Sequence, residues 1–233
     1  MNVSFKIGEE IFSVPEFISL SMFERAIAWD ITDVKNHKPF VATITDCPIA
    51  LLNLMDTDTF NLVLGVCVSL IDVTELEVYN TLGFFSLKNF DEFTFGDFID
   101  IDIMVADGLT GHATEIASKI YDMPYNQMAE IDVKKVFPSL IAMSKFRERV
   151  YKEYDEFFDL GTRNEANDDI EMSINNLQLM WYEAVLVLAD HHFLNIQHVV
   201  ERPYKEALNF LTWKKNEIAK QQLENVKRKY TIK

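Results

Sequence analysis

The sequence predicts a mainly α-helical fold with a small β component (α+β), and three observations carry that expectation. Leu177, Met180, Trp181, Ala184, Val185 and Leu188 recur at the three- and four-residue spacing of a helix with one buried stripe. Capping signals stand ahead of apolar runs at Asp56 or Thr57 and at Thr94 with Asp97, and Pro203 suits a first helical position, where a missing N–H is no loss. Val3, Phe5 and Ile7 alternate before Gly8-Glu9, a two-residue hairpin signal with Gly in the first turn position. An N-terminal β-hairpin, central helices and a C-terminal helical hairpin follow from these.

Taken in order, Glu10 to Val14 pairs with the first strand, and Pro15 ends it. Ser21 and Glu24 form a capping box before Phe23, Ala26, Ile27 and Ile31, which predicts a short helix. Residues 34–39 read as a polar loop. Phe40 to Thr45 is short and β-branched and predicts a strand. Asp46 and Pro48 open a helix carrying Ile49, Leu51, Leu52 and Leu54. The helix from Thr59 to about Ile71 is apolar almost all round, so it is expected to be the buried hub of an N-terminal domain. Residues 73–79 and 82–87 read as strands. From Phe95, alternation permits a strand, but Gly96-Asp97 is a poor strand interior and the Thr94 cap favours a helix. A loop at 106–112 precedes a short helix marked by Ala113, Ile116, Ala117 and Ile120. Pro138 is expected to start a long helix to Leu160, with Gly161 as its stop. The polar stretch 161–171 reads as a linker between an α+β domain at 1–160 and a helical region at 172–233.

Charge is divided unevenly. The chain has a formal net charge of -15 and a pI of about 4.7. Residues 202–233 hold nine Lys or Arg against three Glu, a net of +6, which leaves -21 on residues 1–201. An acidic body repels nucleic acid and anionic membrane, and three readings of the basic tail stand open: it lies against the acidic body of its own chain, docks on another subunit, or meets nucleic acid. Cys47 and Cys67 lie in apolar surroundings and read as buried free thiols. The first residues lack the pattern of a signal peptide, and no apolar run is long enough to cross a bilayer.

Chemistry-bearing motifs are sparse. Asp190, His192 and His198 are the one set from which a metal site can be drawn, and a small metal-dependent hydrolase is the function they would imply. HExxH and the Glu-x-x-His of bundle di-metal sites are both missing, so a polar helix–helix corner is the better reading. Asp100-Ile-Asp102 and Asp56-Thr-Asp58 lack the further oxygens of a calcium loop and read as helix start and solvated face. Phosphate loops, GxSxG and CxxC are absent. No cofactor and no catalytic residue is assigned.

The segment Phe93-Thr-Phe-Gly-Asp-Phe-Ile-Asp-Ile-Asp102, followed by a short Ile- and Ala-rich helix ending Ile120-Tyr121, resembles a group of tailed-bacteriophage tail and baseplate assembly proteins. The hairpin ending at Val14-Pro15 and the helix with Trp181-Tyr182 and Leu188-Ala189 are similar as well. The resemblance implies a non-enzymatic structural or assembly role at a baseplate or hub, or a cytosolic tail assembly chaperone. It implies other tail proteins (hub, tube or tape measure) as partners and the virion tail, assembled in host cytoplasm, as the location. A homo-oligomer is a further expectation. From the residues themselves, Tyr204, Phe210, Trp213, Lys214, Lys215, Lys227, Arg228 and Lys229 are the candidates for partner contact.

Overall fold

Every apolar stripe in this sequence needs a second surface to cover it, and in the computed structural model helices supply most of those surfaces. Residues 3–73, 77–158 and 174–231 are described, with side chains to residue 224 in the last segment. Two antiparallel two-stranded sheets are the β component: β1 (Val3–Ile7) with β2 (Glu10–Val14), and β3 (Thr81–Leu82) with β4 (Phe85–Ser86). The helices are α1 (Leu20–Ile27), α2 (His37–Thr45), α3 (Ile49–Leu52), α4 (Thr57–Ile71), α5 (Phe95–Gly108), α6 (Ala113–Tyr121), α7 (Tyr125–Met128), α8 (Val133–Glu153), α9 (Asp155–Phe158), α10 (Ile174–Leu188), α11 (Ile196–Val200) and α12 (Tyr204–Thr231). The expected class, α-rich with a small β part, is what the chain adopts.

The chain divides into two compact units: residues 1–87 with 108–142, and residues 88–107 with 143–233. This division follows packing and does not fall at the polar stretch 161–171, which lies outside the described residues.

In the first unit, β1 and β2 pair with Phe5 opposite Phe12, and the two rings stack at 5.8 Å. Gly8 alone in the turn takes a positive φ, +63°. Ser19, rather than Ser21, caps α1: its hydroxyl accepts from the Met22 N–H at 3.3 Å. Glu24 therefore does not close a capping box. Its carboxylate accepts from the Thr114 backbone N–H at 2.7 Å, satisfying an otherwise orphaned donor at the start of α6. Residues 40–45 are helical, not a strand, because Phe40, Val41 and Ile44 are all buried on one face of α2. The Thr43 and Thr45 hydroxyls donate to the carbonyls of Pro39 and Val41, which satisfies them within the helix.

Helix α4 departs most from expectation. Of the two candidate caps Asp56 is the one used, accepting from the Thr59 N–H at 2.9 Å. Yet only Phe60, Val63 and Cys67 are buried, and Leu62 is 72 % exposed. The helix lies at the edge of its unit with one stripe covered, and is not a hub. The segment expected as a strand at 73–79 has no strand among its described residues, and 82–87 contributes only β3 and β4, with Phe84 fully exposed between them. Helix α8 starts at Val133, where Asp132 accepts from the Lys134 N–H at 3.0 Å. Pro138 therefore lies inside the helix and removes a backbone donor there. The helix ends at Glu153, short of the Leu160 anticipated.

The second unit is built on aromatic rings. Phe98 on α5 stacks on Tyr204 at 5.2 Å and meets Trp181 edge-on at 5.8 Å and Phe146 at 6.3 Å. Phe93, Phe95, Phe98, Trp181 and Tyr204 are each at most 2 % exposed. Such pairs add about 0.5–1.5 kcal/mol each beyond simple area burial. The Thr94 hydroxyl caps α5 by accepting from the Asp97 N–H at 3.0 Å, so the choice of helix over strand at Phe95 is correct. Gly96 permits close approach: a Cβ there would lie 3.2 Å from Val200. A short bridge of Phe95 N–H to Arg202 O at 2.6 Å and Tyr204 N–H to Phe93 O at 3.1 Å ties the start of α5 to the start of α12. The Thr-Phe-Gly-Asp-Phe run is thus a packing element: a cap, a buried ring, a close approach and a second buried ring.

Candidate partner-binding surface

Helix α12 has 28 residues, a rod of about 42 Å. Its first two turns are anchored. Tyr204, Ala207, Leu208 and Leu211 are buried, at the spacing of one helical stripe. Lys215 donates from Nζ to the Phe157 carbonyl at 3.3 Å, and the Asn216 amide donates to Glu156 at 2.7 Å. Beyond Leu211, no residue up to Glu224 is buried. Trp213, Ile218 and Leu223 are 56, 48 and 59 % exposed. Phe210, 43 % exposed, packs on Trp213 at 5.4 Å, and the Lys214 ammonium lies 6.0 Å from its ring centre. The Lys220 ammonium pairs with Glu217 one turn earlier, at 3.2 Å. The result is an exposed aromatic pair beside the Lys214 ammonium, on a helix whose buried residues, among those described, end at Leu211.

Of the candidate contact residues, Phe210, Trp213, Lys214 and Lys215 fall on this surface. Lys227, Arg228 and Lys229 lie on the continuing α12 backbone, and their side chains lie outside those described. Tyr204 does not belong to the surface. It is fully buried, stacked on Phe98, with its hydroxyl donating to Asp91 at 3.3 Å. Burial pushes its phenol well above the usual range, with the Asp91 charge adding to the effect. It anchors α12 and is not available to a partner.

Two polar constellations in this unit had no signal in the sequence. Asp91 is half-exposed and receives Lys205 at 3.0 Å and Arg149 at 3.1 Å. The Lys205 hydrogen bond holds its carboxyl below the ordinary value, helped by the charges of Lys205 and Arg149 and by Tyr204. Asp102, expected on a solvated face, has a fully buried side chain. It accepts from Arg147 Nε at 2.5 Å, Trp181 Nε1 at 2.7 Å and the Tyr151 hydroxyl at 3.0 Å. The Arg147 guanidinium also lies over the Tyr151 ring at 4.5 Å. Burial works against the Arg147 charge, and Asp102 and Tyr151 more than offset it, so its pKa is raised. Three donors, one of them its counter-ion, hold this buried carboxylate in place, which makes it a structural lock between α5, α8 and α10.

The His-rich corner connects α10 to α11, with Asp190 and His191 both in the left-handed region at φ +53° and +55°. His191 donates its backbone N–H to Leu186 O and His192 donates to Ala189 O, closing the turn. Among the described residues no group of three His, Cys, Asp or Glu is placed to hold a metal ion, so Asp190, His192 and His198 do not form one. His198 instead lines an open cleft of about 340 Å³ with Leu188, Asn195, Val199, Arg202 and Glu206. Cys47 and Cys67 are both free and buried. No described helix is long and apolar enough to cross a membrane. Comparison with protein-family models, with curated proteins and with solved structures finds no match to this chain.

Proposed function

We propose that this chain is a non-enzymatic assembly component of a bacteriophage tail, at the baseplate or hub, working through contacts made by the distal part of α12. The observation that carries the reading is the end of burial at Leu211, about 20 residues before α12 itself ends at Thr231. A polar helix whose described side chains beyond Leu211 are not buried draws little stability from tertiary packing there, and a partner would supply it. Its exposed Trp213 is a residue type that anchors interfaces. The link to phage tails comes from the resemblance at residues 93–102 and 113–121, and hub, tube or tape-measure proteins are the partners it suggests.

The test is capture of tail proteins from phage-infected cells by the full chain and by residues 1–211. The full chain should retain tail proteins and the shortened one should lose them. Equal capture by both would refute the role given to α12. Mass spectrometry of purified virions then separates a resident component from a transient one: absence from the particle would rule out the structural role and favour the chaperone.

A further inference from the structure

No residue of α12 between Leu211 and Glu224 is buried, and the charge of this end specifies the chemistry of a cover. Residues 202–233 carry a net +6 and residues 1–201 a net -21, within one molecule of net charge -15. We infer that the distal part of α12 docks on the acidic body of a second copy of this chain. The inference rests on the reading of α12 as a docking element and names its partner.

Two copies approaching body to body meet like charge, which disfavours association; approach led by α12 reverses the sign. Lys214 and Lys220 would supply the attraction, and Phe210 and Trp213, packed on each other at 5.4 Å and both more than two-fifths exposed, would supply the apolar surface that closes the contact. Folding the basic end back onto its own body would require breaking a helix that runs continuously to Thr231. A basic helix on one copy and an acidic face on the next are different surfaces, so the contact is heterologous. Each copy keeps one unused half, and the assembly closes as a ring or continues as a line.

Sedimentation velocity on the full chain tests this, over a concentration series at low and at moderate salt. The expected result is self-association that weakens at least about tenfold in affinity between about 50 mM and about 200 mM salt, as exposed charge pairs require. A chain with Lys214→Glu and Lys220→Glu should lose association by at least about tenfold while keeping its circular dichroism spectrum, since neither is buried. A chain that stays monomeric at every concentration and salt overturns the inference, as does association indifferent to the charge reversal. Binding of duplex DNA by a chain that remains monomeric also overturns it. A monomeric chain that still needs residues 212–233 to capture tail proteins overturns this inference alone, whereas capture that ignores those residues overturns the functional reading.

Discussion

Replacing Asp102 by Asn is the sharpest perturbation the second unit offers. The substitution is nearly isosteric, so packing is preserved and only charge and hydrogen-bond polarity change. The carboxylate receives three donors and faces the Arg147 guanidinium at 2.5 Å. An amide can accept with its oxygen, but its NH₂ then points at a donor, and Arg147 loses its counter-ion. Breaking a buried ion pair from one side costs about 3–5 kcal/mol. Arg147 retains 23 % exposure, so the lower end of that range applies. Against a total stability of about 5–15 kcal/mol this is a large fraction. With a urea m-value of about 2–3 kcal/mol/M, the midpoint should fall by about 1–2 M. Urea unfolding followed by far-UV circular dichroism measures it. Arg147→Met should cost a similar amount by stranding the carboxylate. The double variant should cost about 1–3 kcal/mol less than the two singles added together, because a neutral amide without a cation beside it still accepts from Trp181 and Tyr151. A single-site cost under about 1 kcal/mol, or strict additivity of the pair, would refute the account of Asp102 as a buried charged lock.

Neighbouring positions on α4 should respond oppositely to the same change. Leu62→Asp, at a 72 % exposed site, should shift stability by no more than about 0.5 kcal/mol, whereas Val63→Asp, at a 3 % exposed site, should cost about 3 kcal/mol or more in the same urea assay. Burial holds the Cys67 thiol up to about 12 from an ordinary 9.0, so the folded state keeps a proton that the unfolded state releases. Its contribution to stability is complete below pH 9 and is lost as pH rises toward 12; Cys67→Val should flatten that part of the alkaline fall in thermal midpoint, and an unchanged fall would contradict it.

Helix and hairpin existence was legible where a local device announced it. Gly8 could be read because a two-residue turn needs one positive φ, and Thr94 because a hydroxyl three residues before an N–H is a cap whatever lies around it. The stripe Leu177, Trp181, Ala184 and Val185 was readable for the same reason, since its period is written in the sequence and all four are buried. Errors arose where a tertiary partner decided. Residues 40–45 carry the β-branched composition of a strand, yet burial of Phe40, Val41 and Ile44 on one helical face outweighs a propensity worth tenths of a kcal/mol per residue. Ser21 and Glu24 had the spacing of a capping box, but Glu24 is used 90 positions away at Thr114. Nothing local could reveal that. Asp102 could not be distinguished from Asp100 by pattern, because its difference lies in Trp181, 79 positions further along the chain.

Helix α12 is legible in its sequence only in part. Tyr204, Ala207, Leu208 and Leu211 announced a stripe, and the charge count announced a basic end, but composition treats Tyr204 and Trp213 alike as aromatic residues on one helix. Packing separates them. Tyr204 lies where α5 bridges back to α12, so its ring is enclosed by Phe98 and Phe146. Trp213 follows the last buried position, Leu211, and has no such enclosure. Removing the ring of Tyr204 therefore acts on folding, and removing that of Trp213 acts on whatever α12 meets. An alanine at 204 that lowered stability by about 3–5 kcal/mol, beside one at 213 that left stability within about 0.5 kcal/mol, would place the division between anchor and contact surface at Leu211.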